Sequence, residues 1–187
     1  MQIFHNDRSS LEEVAALVKR GCVGVIPADT IYGISALADE KTAERIYEIK
    51  KRPANKSFIM LADIDYLRNG GFYDVPDRLY ELWPCSLTAI LMGKDGRTQA
   101  VRVPSDEYIL SLVKETGPIW STSVNISGTA NMNHADDIIA RFSDDLDFIV
   151  RKREEGENSL PSTLVDCTKK PYRILRQGAF DASVLSD

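Results

Sequence analysis

The chain has 187 residues, with 28 Asp and Glu against 23 Lys and Arg, a formal net charge of -5 and 43% hydrophobic content. That is the composition of an ordinary folded protein with one core, and it speaks against broad binding to nucleic acid, which depends on Lys and Arg at phosphates. No stretch approaches the roughly 18 apolar residues of a membrane-spanning helix. The first residues lack the basic-then-apolar order of a secretory signal. Cys22, Cys85 and Cys167 are far apart, and neither His5 nor His134 has a partner at ligand spacing. That argues against structural zinc or a disulfide framework and fits a reducing cytoplasm.

In chain order, Ser9 and Glu12 stand at capping-box spacing and predict a helix that buries Val14, Leu17 and Val18 and stops at Gly21. Residues 22–26 are a short apolar run, read as a buried strand that breaks at the turn Pro27-Ala28-Asp29-Thr30-Ile31-Tyr32-Gly33. Asp39 is placed to cap a second helix through Lys50, with Ala43, Ile46 and Ile49 on its apolar face. Residues 57–62 read as a strand and 77–83 as a short helix. Residues 87–92 and 98–103 flank Lys94-Asp95-Gly96, a hairpin signal. A helix over 107–115 ends at Gly117-Pro118, and a strand over 119–122 runs into a polar loop over 123–133. A helix near 135–142 and strands around Phe148, Leu164 and Ile174 complete the chain, and residues 151–161 read as a charged, mobile loop. Helices alternating with strands, with hairpins mixed in, predict an α/β fold with a twisted, mixed sheet.

One feature departs from the acidic background: Lys50-Lys51-Arg52-Pro53-Ala54-Asn55-Lys56 holds four cations in seven residues. Such charges repel unless an anion or solvent lies between them. Pro53 stops the incoming helix, so they fall at a helix C-terminus and the loop after it. A helix C-terminus favours cations in any case, so a solvated face and a phosphate site both remain open.

Familiar catalytic signatures are absent. There is no Gly-x-x-x-x-Gly-Lys-Ser/Thr loop, no Gly-x-Gly-x-x-Gly and no Gly-x-Ser-x-Gly elbow, and two scattered histidines do not suggest a Ser-His-Asp triad. An enzyme with this sequence would work by positioning and charge neutralisation. Four segments could supply that: the Asp29–Gly33 turn, the basic knot, Trp120-Ser121-Thr122-Ser123-Val124-Asn125-Ile126-Ser127-Gly128, and Pro161-Ser162-Thr163-Leu164-Val165-Asp166 with Arg173-Ile174-Leu175-Arg176-Gln177-Gly178. The third follows an apolar strand, and hydroxyls at a strand end often line a ligand crevice. Each also has a plain structural reading as a turn, a Ser-rich loop or a pair of edge strands.

In this order the four resemble the YrdC/TsaC family, the threonylcarbamoyl-AMP synthases of tRNA modification, from about residue 10 to residue 180. The family's Lys-x-Arg element stands as Lys50-Lys51-Arg52 and its Ser-x-Asn element as Ser123-Val124-Asn125. Its Pro-Ser/Thr-x-Thr-x-Tyr-Gly-like, Ser-Thr-x-Val-Asp and Ile-Leu-Arg-x-Gly elements stand at Pro27–Gly33, Ser162–Asp166 and Ile174–Gly178. The resemblance implies one YrdC-like domain over residues 1–187, in the short form without an added carboxy-terminal domain. It also implies an open α/β sheet flanked by helices around a concave, positively lined cleft. There L-threonine, bicarbonate and ATP, with Mg2+ assisting, would become threonylcarbamoyl-adenylate and pyrophosphate. A separate tRNA threonylcarbamoyl-transferase would then use the product, with at most a weak tRNA contact by this chain.

Carried over residue by residue, the family pattern implies ATP contacts at Lys50, Arg52, Lys56, Thr98, Ser123, Asn125, Asn131 and Arg176, with Lys50 and Arg52 as the catalytic cations. For threonine it implies Thr30, Arg102, Ser121 and Ser162, and no protein metal ligand. Arg102 suits the carboxylate, because a guanidinium can bond both oxygens. Departures are Pro84-Cys85-Ser86-Leu87-Thr88 where the family often has Pro-Gly-Pro-x-Thr, Leu61 where some relatives carry a polar residue, and no His near Asp106. Two other readings stand beside the synthase: an RNA-binding or ribosome-associated module without activity, and a paralogue with a different activity. The net charge weakens the first, and the presence of both Lys-x-Arg and Ser-x-Asn weakens the second.

Overall fold

The computed structural model describes residues 1–53, 57–152 and 160–185. Its elements are β1 (Gln2–His5), α1 (Leu11–Lys19), β2 (Gly24–Pro27), β3 (Tyr32–Leu37), α2 (Glu40–Lys50), β4 (Ile59–Leu61), α3 (Ile64–Gly70) and β5 (Tyr73–Asp74). They continue with α4 (Asp77–Leu82), β6 (Leu87–Gly93), β7 (Thr98–Arg102), α5 (Glu107–Thr116), β8 (Ile119–Ser123), α6 (Ala135–Phe142), β9 (Phe148–Arg151), β10 (Thr163–Asp166), β11 (Arg173–Arg176) and a 3-10 turn, Ala182–Leu185.

All these strands share one mixed sheet, ordered β1-β9-β2-β3-β8-β4-β7-β6-β10-β11, with β5 against β6. The pairs β1–β9, β2–β9, β4–β7 and β6–β10 are parallel, and β2–β3, β3–β8, β4–β8, β6–β7 and β10–β11 are antiparallel. The α/β reading with a mixed sheet is therefore what the chain adopts.

Both faces of the sheet are covered, and β9 shows how. Phe148 and Val150 pack with Val14, Leu17, Leu112 and Val113 of α1 and α5. Ile149, between them, points to the opposite face and joins Ile46, Ile138 and Phe142 of α2 and α6. Successive strand residues alternate faces, so a strand covered on both sides needs a continuous apolar run rather than an alternating one. A third cluster, around Leu79, Trp83, Leu87, Leu91, Val101 and Val165, holds α4 and the 3-10 turn against β6, β7 and β10.

Asp39 caps α2 as its position dictates, its carboxylate accepting the Thr42 N–H at 2.8 Å. The helix ends at Lys50, and Lys51 takes the left-handed conformation at φ 48°. The hairpin closes where expected, with the Gly96 N–H donating to the Gly93 carbonyl at 2.9 Å. The capping box at Ser9 does not form. Ser10 occupies the N-cap in a helical rather than extended conformation, and its hydroxyl donates to the His5 carbonyl at 2.6 Å. Ser9 instead bonds the Asp7 carboxylate, which also takes the Ser9 N–H at 3.0 Å. An Asx-type turn outcompetes the cap here.

Five elements went unpredicted. β1 is largely exposed at the sheet edge and has little apolar signal. β3 reads Tyr-Gly-Ile-Ser-Ala-Leu and is nearly all buried, so its small residues hide its pattern. α3, β5 and the 3-10 turn are short, although Asp63 caps α3 through the Tyr66 N–H at 2.6 Å. The expectation for residues 151–161 falls mostly outside the described residues.

Candidate active site

One face of the central strands forms the floor of a cleft of about 340 Å³. Alternation places Ser121 and Ser123 of β8, Ile59 and Leu61 of β4, and Ala100 and Arg102 of β7 on that face, and Thr122 also borders the cleft. Thr30 and Gly33 enter from the turn before β3 and its first residues, Ser162 and Leu164 from the β10 side, and Arg176 from β11. Arg52 and Phe58 border the cleft just after α2 and just before β4. Gly33 leaves the Ser121 hydroxyl its place here, since a Cβ at that position would displace it.

Among the described residues three arginines reach this cleft, and each donates to a hydroxyl that also lines it. Arg102 is 4% exposed, and its Nη1 donates to Thr30 Oγ1 at 3.0 Å. Arg52 Nη1 donates to Thr122 Oγ1 at 3.2 Å, and its Nη2 to the Ser57 carbonyl at 2.9 Å. Arg176 donates to the Ser162 carbonyl from Nε at 3.1 Å and from Nη2 at 2.9 Å, and Nη2 lies 3.4 Å from Ser162 Oγ. A guanidinium has no acceptor, so in each pair the hydroxyl oxygen receives. The result is a donor-rich surface suited to carboxylate, carbamate or phosphate oxygens.

Supporting contacts hold these groups in place. Arg102 Nη2 is ion-paired with Asp29, whose other carboxylate oxygen accepts the Ser105 hydroxyl at 2.8 Å. Burial pushes Arg102 down to about 10, with nearby Arg176 pushing the same way and Asp106 opposing. Arg52 sits 5.3 Å above the Phe58 ring, and burial lowers its pKa as well. Thr163 ties down the segment that carries Arg176: its hydroxyl donates to the Phe180 carbonyl at 2.6 Å and accepts the Gly178 N–H at 2.9 Å. Gly178 allows this close approach, since a Cβ would collide with the backbone of Pro161 and Ser162. Thr88 is fully buried on β6 and lies 2.7 Å from Ser162 Oγ, so the residue survives the altered Pro84-Cys85-Ser86 sequence in its floor position.

Lys50 takes a different position from the one expected. It is 1% exposed, and its ammonium donates to the Ser123 carbonyl, to the Asn125 carbonyl at 2.9 Å and to Asn125 Oδ1 at 2.8 Å. The Ser127 N–H returns a bond to the Lys50 carbonyl at 2.9 Å. Asn125 also accepts the Ser123 hydroxyl at 2.8 Å and donates to the Thr129 carbonyl at 2.6 Å. Lys50 and Asn125 therefore brace the loop after β8 from behind, while Ser123 faces the cleft. Burial, with repulsion from Arg52 second, pushes Lys50 down to about 8.

Thr30, Arg102, Ser121 and Ser162 converge in one cleft with Arg52, Ser123 and Arg176. Thr98 is exposed at the start of β7, on the same strand face as Ala100 and Arg102 but outside the cleft lining. Asn131 lies beyond the lining too, its Nδ2 donating to Asn133 Oδ1 at 2.7 Å and its Oδ1 buried with no partner among the described residues. Lys56 lies outside the described residues. Lys51 is exposed, in keeping with a solvent-facing member of the knot. Asp29 and Thr122 lie in the candidate segments but carry no assigned role in the sequence reading, and Phe58 and Ser105 are new. Asp29 had a usable signal in its place beside Thr30, whereas Phe58 and Ser105 had none.

This α/β fold carries a cleft lined by arginines and hydroxyls, a donor set that matches anionic oxygens. A family model for Sua5, YciO and YrdC, described as telomere recombination, matches residues 16–178, and the chain belongs to that family. It is 31% identical to the threonylcarbamoyl-AMP synthase of Pyrococcus abyssi, over 95% of this chain and 58% of that protein. It is 27% identical to the threonylcarbamoyl-AMP synthase of Vibrio vulnificus, over 91% of this chain and 99% of that one. The chain thus spans little more than half the length of the archaeal relative and nearly all of the bacterial one. The crystal structure of P. abyssi Sua5 complexed with L-threonine superposes with a TM-score of 0.84 at 28% identity, covering 95% of this chain and 58% of that one. E. coli YciO shares the fold, with a TM-score of 0.82 at 24% identity and 97% coverage of both chains.

Proposed function

We propose that residues 1–187 act as one catalytic unit that forms L-threonylcarbamoyl-adenylate and pyrophosphate from L-threonine, bicarbonate and ATP, supplying the threonylcarbamoyl group of modified adenosine in tRNA. The observation that carries this reading is the meeting of Thr30, Arg102, Ser121 and Ser162 with Arg52, Ser123 and Arg176 around one cleft. The names of the relatives and the threonine held by the archaeal Sua5 support it.

In this reading Arg102 receives the amino-acid carboxylate, and the Thr30 and Ser162 hydroxyls meet threonine's own hydroxyl. The threonine amine combines with bicarbonate to give a carbamate and water. A carbamate oxygen then attacks the α-phosphorus of ATP, the bond to the β-phosphate oxygen breaks, and pyrophosphate leaves. Arg52 and Arg176 neutralise the charge that builds on the transferring and departing groups, and Ser123 lines the nucleotide side. Lys50 acts through Ser123 and Asn125, whose loop it braces. No protein nucleophile is needed. Mg2+ would be carried by the triphosphate, the usual arrangement for this ion; among the described residues no group of three carboxylate, His or Cys side chains could hold it alone. Thr98 and Asn131 are outer members of the nucleotide set, and Lys56 is its remaining cation. The product would pass in the cytoplasm to a separate transferase, and any tRNA contact by this chain would be weak. No helix among the described residues is long and apolar enough to cross a membrane.

The test is incubation with ATP, Mg2+, bicarbonate and L-threonine, followed by mass spectrometry for the adenylate. Product that requires all three substrates is expected. Pyrophosphate release indifferent to threonine, or tight RNA binding without turnover, would reject the reading.

A further inference from the structure

Thr88 and Ser162 form a hydroxyl pair beneath the cleft, and their surroundings decide which oxygen donates. Thr88 is fully buried on β6, and among the described residues Ser162 Oγ, 2.7 Å away, is its hydroxyl's one polar partner. Were Thr88 to accept, its own hydrogen would be buried with nothing to receive it, the costlier of the two arrangements. Thr88 therefore donates. Arg176 Nη2, which can only donate, approaches the same Ser162 oxygen at 3.4 Å. With both lone pairs addressed, Ser162 has its hydrogen left to offer, and Ser162 lines the cleft.

We propose that Thr88 is a specificity-determining residue: it holds Ser162 Oγ so that the Ser162 hydrogen is aimed at the hydroxyl oxygen of the amino-acid substrate. The inference rests on the reading of Ser162 as a threonine contact. It gives the cleft a defined polarity at that point, because the substrate must bring an acceptor. Thr30 matches it across the site, its oxygen receiving from Arg102 Nη1 at 3.0 Å and its hydrogen free to donate. An amino acid without a hydroxyl leaves these donors unmet, which is a strong basis for rejection. Without Thr88, Ser162 can turn among its staggered positions and loses its aim.

Two variants separate the hydroxyl from packing. Thr88→Val keeps the volume and removes the hydroxyl, and Thr88→Ser keeps the hydroxyl and removes a methyl from the core. The readout is the ratio of kcat/KM for L-threonine to that for L-2-aminobutyrate, with melting temperatures measured alongside. Thr88→Val should lower the ratio about tenfold, the scale of one lost hydrogen bond, through KM for threonine and with KM for ATP unchanged. Thr88→Ser should keep the wild-type ratio even if it melts lower. In a Ser162→Ala background, Thr88→Val should have no further effect on the ratio. An unchanged ratio in Thr88→Val, or an equal loss in Thr88→Ser, makes Thr88 a packing residue and overturns the inference alone. A wild-type protein that uses both amino acids equally overturns the threonine reading, and this inference with it.

Discussion

Lys50 has the strongest charge argument in the sequence and the most enclosed position in the structure. Three carbonyl oxygens around one ammonium satisfy a cation that burial would otherwise penalise. Its pKa falls to about 8 in the folded protein against the ordinary 10.5. Between those values the unfolded chain holds a proton that the folded chain has released, so stability contributed through Lys50 rises with pH across that window. Lys50→Met removes the titration. Calorimetry from pH 8 to 10.5 should show the wild-type melting temperature minus the variant's rising with pH, and a fall in that difference would contradict this account. Arg52 faces the cleft directly, and Arg52→Ala should lower kcat about 100- to 1000-fold, the scale of one lost transition-state contact. Near-normal turnover would remove its proposed role.

At the scale of elements, two glycines set how closely strands and loops approach the cleft, and they differ in what stands opposite. At Gly33 a Cβ would meet the end of the Ser121 side chain, which can rotate away. Gly33→Ala should therefore raise KM for threonine while leaving the melting temperature nearly unchanged. At Gly178 the obstacle is the backbone of Pro161 and Ser162, which cannot yield without shifting the start of β10. Gly178→Ala should cost about 1–3 kcal/mol, as overpacking does. That corresponds to a drop of several degrees in the melting temperature for a chain of this size. Reversal of the two outcomes would mean that the β10–β11 junction is softer than its bonds to Thr163 indicate.

For the molecule as a whole, a net charge of -5 with arginines gathered at one cleft favours a compact anionic ligand over a long polyanion. Binding of tRNA should stay in the non-specific range, with Kd no tighter than about 10⁻⁶ M at physiological salt. Fluorescence anisotropy across a salt series measures it, and nanomolar binding would revive the RNA-module reading. Much of this molecule could be read from the chain. The α2 cap at Asp39, the turn at Lys94-Asp95-Gly96 and the apolar run of β2 are local signals and appear where expected. β1 and β3 were not legible, because the first is mostly exposed and the second is built of small residues whose burial comes from distant helices.

The class of fold is legible in the chain, since strand alternation and turn chemistry are local properties, and the motifs in order carry the resemblance that names Thr30, Arg52, Arg102, Ser121, Ser123, Ser162 and Arg176, which meet at the cleft. Which way each group faces, and which partner claims it, is set by contacts between distant segments. Lys50 turned inward because the loop after β8 brings three carbonyl oxygens to it from more than 70 residues away. Asp29 met Arg102, and Thr88 met Ser162, across strands far apart in the chain. Such pairings depend on the sheet order, and no stretch of sequence encodes that order locally.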